Sequence, residues 1–296
     1  MLTIGVLMNP WTKLFGVYCQ QGLRDYAGVE SLIAYFRTEN ELFFALNAGE
    51  IHVAPVSLKD FPTQLPAGIV IAALSHREQT ANCLVIPKQF VAENEMLSLK
   101  KNARIFTHID INTQQLQSFR ADLQVETKHQ MTPVEAINIL RTENFDAFVT
   151  TTATVKALNL QESEFKIITF SSKEFVTEPG QAIAAFLTAE DDLTTRRLLK
   201  KVHDPSVSMV TNVERKLKQL FGDRDIAAYC EMDTSHHFHV WAAAIIEGKL
   251  CRTRMSQSAS FELAERCFEM LHSQVWDIHF FSDKMIQMIN FTQSFI

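Results

Sequence analysis

The side chains best equipped for chemistry are dispersed along this chain. Cys19, Cys83, Cys230, Cys251 and Cys267 contribute five thiols with no C-x-x-C pair among them. An odd, scattered set argues against a disulfide framework and a structural zinc site; such thiols are expected as small buried apolar residues. His236, His237 and His239 cluster in Ser235-His236-His237-Phe238-His239-Val240. On a strand His237 and His239 share a face, as two metal ligands would. No cysteine or carboxylate is evidently spaced to supply a third ligand. The sequence therefore favours the solvent-facing side of a meander strand, and no metal is expected. None of the nine glycines falls in G-x-G-x-x-G or Walker spacing, so no phosphate-cradling loop is predicted.

The bulk composition limits the classes that remain. With 296 residues, 47% of them apolar and 21% charged, the chain can bury the cores of two or three folded domains. Its net charge of −6 lacks the basic surplus of a phosphate-tracking protein, so nucleic acid is not an expected partner. A local basic pocket for a small anion stays compatible with that total. No apolar run is long enough to cross a bilayer, so no membrane is expected. Met1-Leu2-Thr3-Ile4-Gly5 reads as a first strand rather than a signal peptide, which implies a cytoplasmic protein.

The elements that must position a site alternate. Strands are predicted at Thr3–Leu7, Ser31–Phe36, Ile51–Ala54, Ile69–Leu74, Asn82–Ile86, Arg104–Thr107, Ala147–Thr151 and Lys166–Phe170, from short apolar runs. Helices are predicted over Trp11–Leu23 and over Glu41–Ala48, the latter closed by Gly49. Thr132-Pro133-Val134-Glu135 has the cap, the proline and the glutamate of a capping box, and opens a helix running to about Arg141. This is an α/β pattern. From Asp191 the pattern changes. A helix to Lys201 and a second from Asp204-Pro205 to Gly222 precede a three-strand meander at Ile226–Glu231, His237–Ile246 and Leu250–Met255. Phe261–Leu271 then reads as a helix across a small α+β unit.

Three collinear segments carry a family resemblance. Ala54-Pro55-Val56-Ser57-Leu58-Lys59-Asp60-Phe61-Pro62 is similar to the A-V-H-S-M-K-D-V-P loop of hydroxymethylbilane synthases (porphobilinogen deaminases). Asn144-Phe145-Asp146-Ala147 with Val155-Lys156-Ala157-Leu158-Asn159-Leu160 resembles that family's E-Y-D-A…L-K-R-L-G-L. Glu178-Pro179-Gly180-Gln181-Ala182 resembles P-x-x-G-Q-G-A. The resemblance spans roughly Ile4 to Leu271. It implies two periplasmic-binding-protein-like α/β domains with a cleft between them, at 1–76 plus 171–190 and at 77–170, and a small C-terminal α+β domain at 191–296.

The same resemblance implies roles. Asp60 and Lys59 take the catalytic positions, with Asp60 the carboxylate that meets cationic or N–H-bearing groups and moves protons. Asp60 bracing its loop before Pro62 is an equally weighted reading. Ser57, Arg77, Thr107 and Trp11 take ligand-binding positions, Trp11 as a stacking surface. Family members lengthen a dipyrromethane primer that a cysteine holds by a thioether. Aligned on Tyr229, that cysteine's place falls at Gly222, and Cys230 lies on the following strand. Arginines that grip the substrate's carboxylates become Leu7, Ile111 and Asn112, with others falling near Gln130 and Ala136. No attached cofactor is therefore expected.

Three readings follow. The first is a family relative that has lost tetrapyrrole assembly and binds a small ligand in its cleft. The second is a working hydroxymethylbilane synthase, a transferase of porphyrin biosynthesis with unusual primer handling, in which case dipyrromethane would be attached. The third is an unrelated metabolite-binding protein of the same fold type.

Overall fold

The computed structural model describes residues 1–129, 131–222 and 224–275; Gln130, one of the aligned arginine positions, lies outside the described residues. The elements run β1 (Leu2–Leu7), α1 (Pro10–Gly22), β2 (Ser31–Phe36), α2 (Glu39–Asn47), β3 (Ala54–Ser57), β4 (Ile69–Leu74), β5 (Asn82–Pro87), β6 (Arg104–Thr107), α3 (Asp110–Phe119) and β7 (Gln124–Thr127). They continue with α4 (Pro133–Thr142), β8 (Ala147–Thr151), α5 (Thr152–Ala157), β9 (Phe165–Thr169), β10 (Ala184–Ala189), α6 (Leu193–Leu199), α7 (Pro205–Leu220), β11 (Ile226–Met232), β12 (Phe238–Ile246) and β13 (Lys249–Gln257). A last helix, α8, covers 263–275.

Local chemistry sets these boundaries. Asn9 caps α1 by accepting from the Thr12 amide. Thr38 with Glu41, and Thr132 with Glu135, close reciprocal capping boxes on α2 and α4. The strand expected at Ile51–Ala54 starts later. The amides of Glu50 and Ile51 bond back to the Ala45 carbonyl, so this stretch finishes the turn after α2 before it can pair.

Two sheets of like order result. In the first, β1 pairs parallel with β2, Val53 bridges to Ile4, and β10 lies antiparallel between β3 and β4. The order is therefore β2-β1-β3-β10-β4. In the second it is β7-β6-β8-β5-β9. Each sheet has one antiparallel strand second from an edge, and each such strand follows a crossing between the two sheets. β1 lies tight against α2: a Cβ on Gly5 would sit 2.3 Å from Ile51 Cδ1 and 2.7 Å from Leu42 Cδ1, so any larger residue there would have to displace both side chains. This is the fold class expected: two periplasmic-binding-protein-like α/β units and an α+β tail.

The crossings are tied together. Ser75 donates its amide to the Ala184 carbonyl, and Glu78 to the Ala182 carbonyl. Gln181 Nε2 reaches both the Thr80 carbonyl and Asn82 Oδ1. The hinge is thus a two-stranded connection, not a loose linker.

The β11-β12-β13 meander is packed on both faces. Ala228, Cys230, Val240 and Ala242 meet Val213, Leu217, Leu263 and Cys267 of α7 and α8. Ala227, Trp241 and Ala243 meet Ile111 of the second α/β unit and Val176 of the return crossing. Helix α6, expected with this tail, instead buries Leu199 beside Phe186 and Val6 of the first sheet. Among the described residues no helix is long and apolar enough to cross a membrane.

Candidate ligand site in the interdomain cleft

Between the two sheets lies a cavity of about 260 Å³. Trp11 and Phe15 of α1 and the β3–β4 loop form one wall; Thr150, Thr151 and Thr154 at the β8–α5 junction, with Thr132 and Ala136 of α4, form the other. Gln181 of the hinge lies between them. Three expected site residues, Ser57, Lys59 and Asp60, therefore meet here, and Trp11 joins them.

The loop carrying Lys59 and Asp60 is held from both ends. Leu58 and Phe61 are buried. Arg215 of α7 donates to the carbonyls of Leu58, Phe61 and Pro62 at 3.3, 3.1 and 2.7 Å. Lys218 caps the Lys59 carbonyl at 3.1 Å. With its backbone clamped, the loop turns the Lys59 and Asp60 side chains to the cavity. Gly180 crosses directly above it at φ +79°, where a Cβ would lie 2.9 Å from Leu58 Cγ.

The electrostatics of the loop are nearly closed. Lys59 Nζ sits 2.5 Å from Asp60 Oδ1 and 3.3 Å from Glu178 Oε2. His108 Nε2 stands 3.7 Å from the same Glu178 oxygen. Burial works against the Lys59 ammonium, but Glu178 and Asp60 outweigh it and raise its pKa. Burial likewise opposes Glu178, and Lys59 and His108 overcome it, holding the carboxyl down at about 2. Glu178, read from sequence only as part of a turn, is thus an ion-pair partner of Lys59 that its position beside Pro179-Gly180 concealed.

Two expected ligand contacts are corrected. Arg77 does not face the cleft. Its guanidinium grips Glu214 at 2.7 and 3.2 Å, lies 5.2 Å from the Tyr229 ring centroid, and is 11% exposed. Glu214, fully buried, also accepts from the amides of Gly180 and Cys230 at 2.8 and 2.7 Å. An arginine paired this way ties the hinge to the C-terminal unit and has little left for a ligand. Thr107 is wholly buried; its hydroxyl accepts from Asn112 Nδ2 at 3.2 Å, so it joins β6 to α3.

The histidine cluster is a braced turn. Asp233 Oδ2 lies 3.0 Å from His239 Nε2 and 3.6 Å from His237 Nδ1, while its Oδ1 accepts from the amides of Ser235 and His237. Ser256 Oγ meets His239 Nδ1 at 2.7 Å. His237 precedes β12, so the expected two-histidine strand face is absent. Asp233 is the carboxylate that the spacing concealed, because it faces His239 across a hairpin turn. Among the described residues no group of three ligands could hold a metal ion.

A family model described as porphobilinogen deaminase, dipyromethane cofactor binding domain, matches residues 36–197, more than half the chain. The chain belongs to the porphobilinogen deaminase family. A porphobilinogen deaminase of Campylobacter jejuni subsp. doylei is 30% identical over 167 residues, 56% of this chain and 52% of that protein. One of Sulfurimonas denitrificans is 29% identical over 175 residues, 59% and 54% of the two chains. The chain spans about half the length of the curated relatives it matches. Among solved structures, the periplasmic VFT2 domain of Bordetella pertussis BvgS is 16% identical with a TM-score of 0.44, covering 75% of this chain and 93% of its own. The methionine-binding protein MetQ is 13% identical with a TM-score of 0.42, covering 75% and 95%.

The cofactor named in the family description does not fit the residues present. Gly222, at the aligned cysteine position, ends α7 with φ +67°, a helix-closing conformation that side-chain-bearing residues resist. All five cysteines are buried. Burial raises every thiol, Cys83 and Cys267 to about 12. Cys230, the nearest in sequence, is 1% exposed and points at the Glu231 carbonyl. A thiolate that can attack a primer needs the opposite surroundings.

The lost arginines are accounted for in the same way. Ile111 is 1% exposed in the contact with the C-terminal sheet, and Asn112 is 1% exposed beside Thr107. Leu7 packs against the first core. Ala136 lines the cavity itself.

Proposed function

We propose that this family member no longer assembles a tetrapyrrole chain and instead binds a small ligand in the cleft between its two α/β units. The observation that carries the reading is the missing anchor: Gly222 stands where the thioether cysteine is needed, and every thiol of the chain is buried. The neutral side chains at the former arginine positions support it, because carboxylates brought into the cleft would stay poorly compensated. The cavity of about 260 Å³ suits a ligand about one ring across rather than a growing chain.

Intact mass measurement of the purified protein, with Ehrlich's reagent and incubation with porphobilinogen, tests this reading. The expected result is the mass of the unmodified chain, no colour and no release of linear tetrapyrrole. A dipyrrole-sized mass increase with a pink product would refute it.

A second reading, a working transferase, is favoured by one observation: Lys59 and Asp60 still face the cavity together. In that case Asp60→Ala abolishes turnover of porphobilinogen; unchanged turnover in the variant removes its support.

A further inference from the structure

The outgoing crossing leaves the first sheet at Leu74, the last residue of β4, and the two-residue turn between α6 and α7 holds that residue from outside. The Leu74 amide donates to His203 Nδ1 at 3.1 Å, and the Asp204 amide donates to the Leu74 carbonyl at 3.0 Å. Asp204 carries the connection further in both directions. Its Oδ1 caps α7 by accepting from the Ser206 and Val207 amides, and its Oδ2 lies 3.0 Å from Nδ1 of His76 on the crossing itself. Ser75, next along the chain, donates its amide to the Ala184 carbonyl of β10.

The bond to His203 exists in one protonation state only. A backbone amide can only donate, so Nδ1 must present a lone pair and the single ring proton must sit on Nε2. A second proton, on Nδ1, sets two N–H groups against each other and leaves the Leu74 amide, in a residue 6% exposed, without its acceptor.

The surroundings of the ring favour the neutral form. Burial opposes its charge and outweighs the attraction of Asp204, so its pKa lies below the ordinary histidine value. β4 brings only Ile71 to Leu74 to the cavity that His203 lines, none of them titratable. From α7 comes Arg215, whose guanidinium donates to the carbonyls of Leu58, Phe61 and Pro62. Lys200 and Lys201, at the end of α6, are exposed. His76 is the other histidine on this connection, and its proton would act in the opposite sense by strengthening the contact with Asp204. Its side chain is 74% exposed, so solvent screens that gain.

We propose that His203 is a pH-sensitive latch on the hinge: neutral, it holds the Leu74 amide and fixes the outgoing crossing; protonated, it releases that amide and loosens the crossing against β10. The latch is fully closed above the ordinary histidine value and opens as the pH falls through the lower value of the folded chain.

Amide hydrogen exchange on the full chain, resolved by residue and divided by the intrinsic rate at each pH, tests the latch. Protection of the Leu74 and Ser75 amides is expected to fall at least about fivefold between about pH 7.5 and about pH 5. In His203→Asn the amide oxygen can stand in the place of Nδ1 and does not titrate, so protection is expected to stay level over that range. His76→Gln is expected to retain the fall. Protection that does not respond to pH in the native chain, a fall that persists in His203→Asn, or one that vanishes in His76→Gln would overturn the assignment. A fall confined to Leu74 would overturn the hinge role. The ring nitrogen shifts of His203 decide the matter without a variant, should the substituted chains fail to fold. A neutral ring protonated on Nε2 is expected at about pH 7.5, and a proton on Nδ1 at that pH would overturn the latch.

Discussion

Two ion pairs lie in adjoining parts of this molecule and do different work. At the hinge, Arg77 and Glu214 are sealed: Glu214 is fully buried and its two oxygens also accept from the Gly180 and Cys230 amides. In the cleft, Lys59 meets Asp60 and Glu178 beside a cavity, and the Asp60 side chain is 60% exposed. Both pairs involve residues to which the family resemblance assigns a role, Arg77 in one and Lys59 with Asp60 in the other. Matching a family residue therefore does not assign it to the site. The hinge pair ties the hinge to the C-terminal unit, and the cleft pair stands beside a cavity.

The sharpest way to break that contrast is to remove Glu214. Glu214→Ala strands the Arg77 guanidinium and two amides in the interior. The expected loss is about 3–5 kcal/mol of unfolding free energy in a denaturant titration. A loss under about 1 kcal/mol would mean that the pair does not lock the hinge. Gly180 links the two pairs, since its amide serves Glu214 and its backbone passes above Leu58 at φ +79°. Gly180→Ala meets both a left-handed backbone and a contact of 2.9 Å, so a loss of about 1–3 kcal/mol is expected from the same measurement. An unchanged midpoint would show that the crossing relaxes freely.

Much of this arrangement could be read before the fold was known, and the failures have physical causes. The capping box at Thr132 and Glu135 and the strand limits at Ser31–Phe36, Ile69–Leu74 and Arg104–Thr107 coincide with the observed elements, because local patterning decides them. Helix α3 was missed: Asp110–Phe119 has few apolar residues and starts at Ile109 without a side-chain cap. Strand β10, Ala184–Ala189, was missed although its apolar run was a usable signal. For the site, the Ser57–Asp60 loop was visible as a motif. The destination of Arg77 was not, since its partner lies 137 residues away. Glu178 was hidden for the same reason: its role comes from Lys59 and His108, which only the hinge brings near.

The cleft pair should respond to pH where the hinge pair supplies the larger, more general lock. Burial opposes the Glu178 carboxylate, yet Lys59 and His108 hold its carboxyl below the ordinary 4.5 in the folded chain. A lowered carboxyl stabilises the folded state fully above the unfolded value and loses that contribution as protonation proceeds toward the folded one. The stability gap between the native chain and Glu178→Gln is expected to be about 1–2 kcal/mol near neutrality. It should hold down to about pH 5 and shrink steadily as the pH falls toward about 2. Unfolding curves of both proteins over that range check the sign; a gap that widens in acid would overturn the assignment of Lys59 and Glu178 as a charged pair.

Asp60 gives the smallest stability effect and the most informative one. Its carboxylate is more than half exposed and bonded to Lys59 alone among the described residues, so solvent screens most of the attraction. Asp60→Asn is expected to change unfolding free energy by less than about 1 kcal/mol. If Asp60 only braced its loop, the variant would lose more, because Leu58, Phe61 and the Arg215 bonds to their carbonyls would shift with it. The backbone of that loop is already clamped by α7, so a cleft role predicts nearly unchanged stability together with altered ligand binding. Thermal unfolding and calorimetry on the same preparation separate the two. Lost stability with unchanged binding would move Asp60 into the structural class that Arg77 occupies.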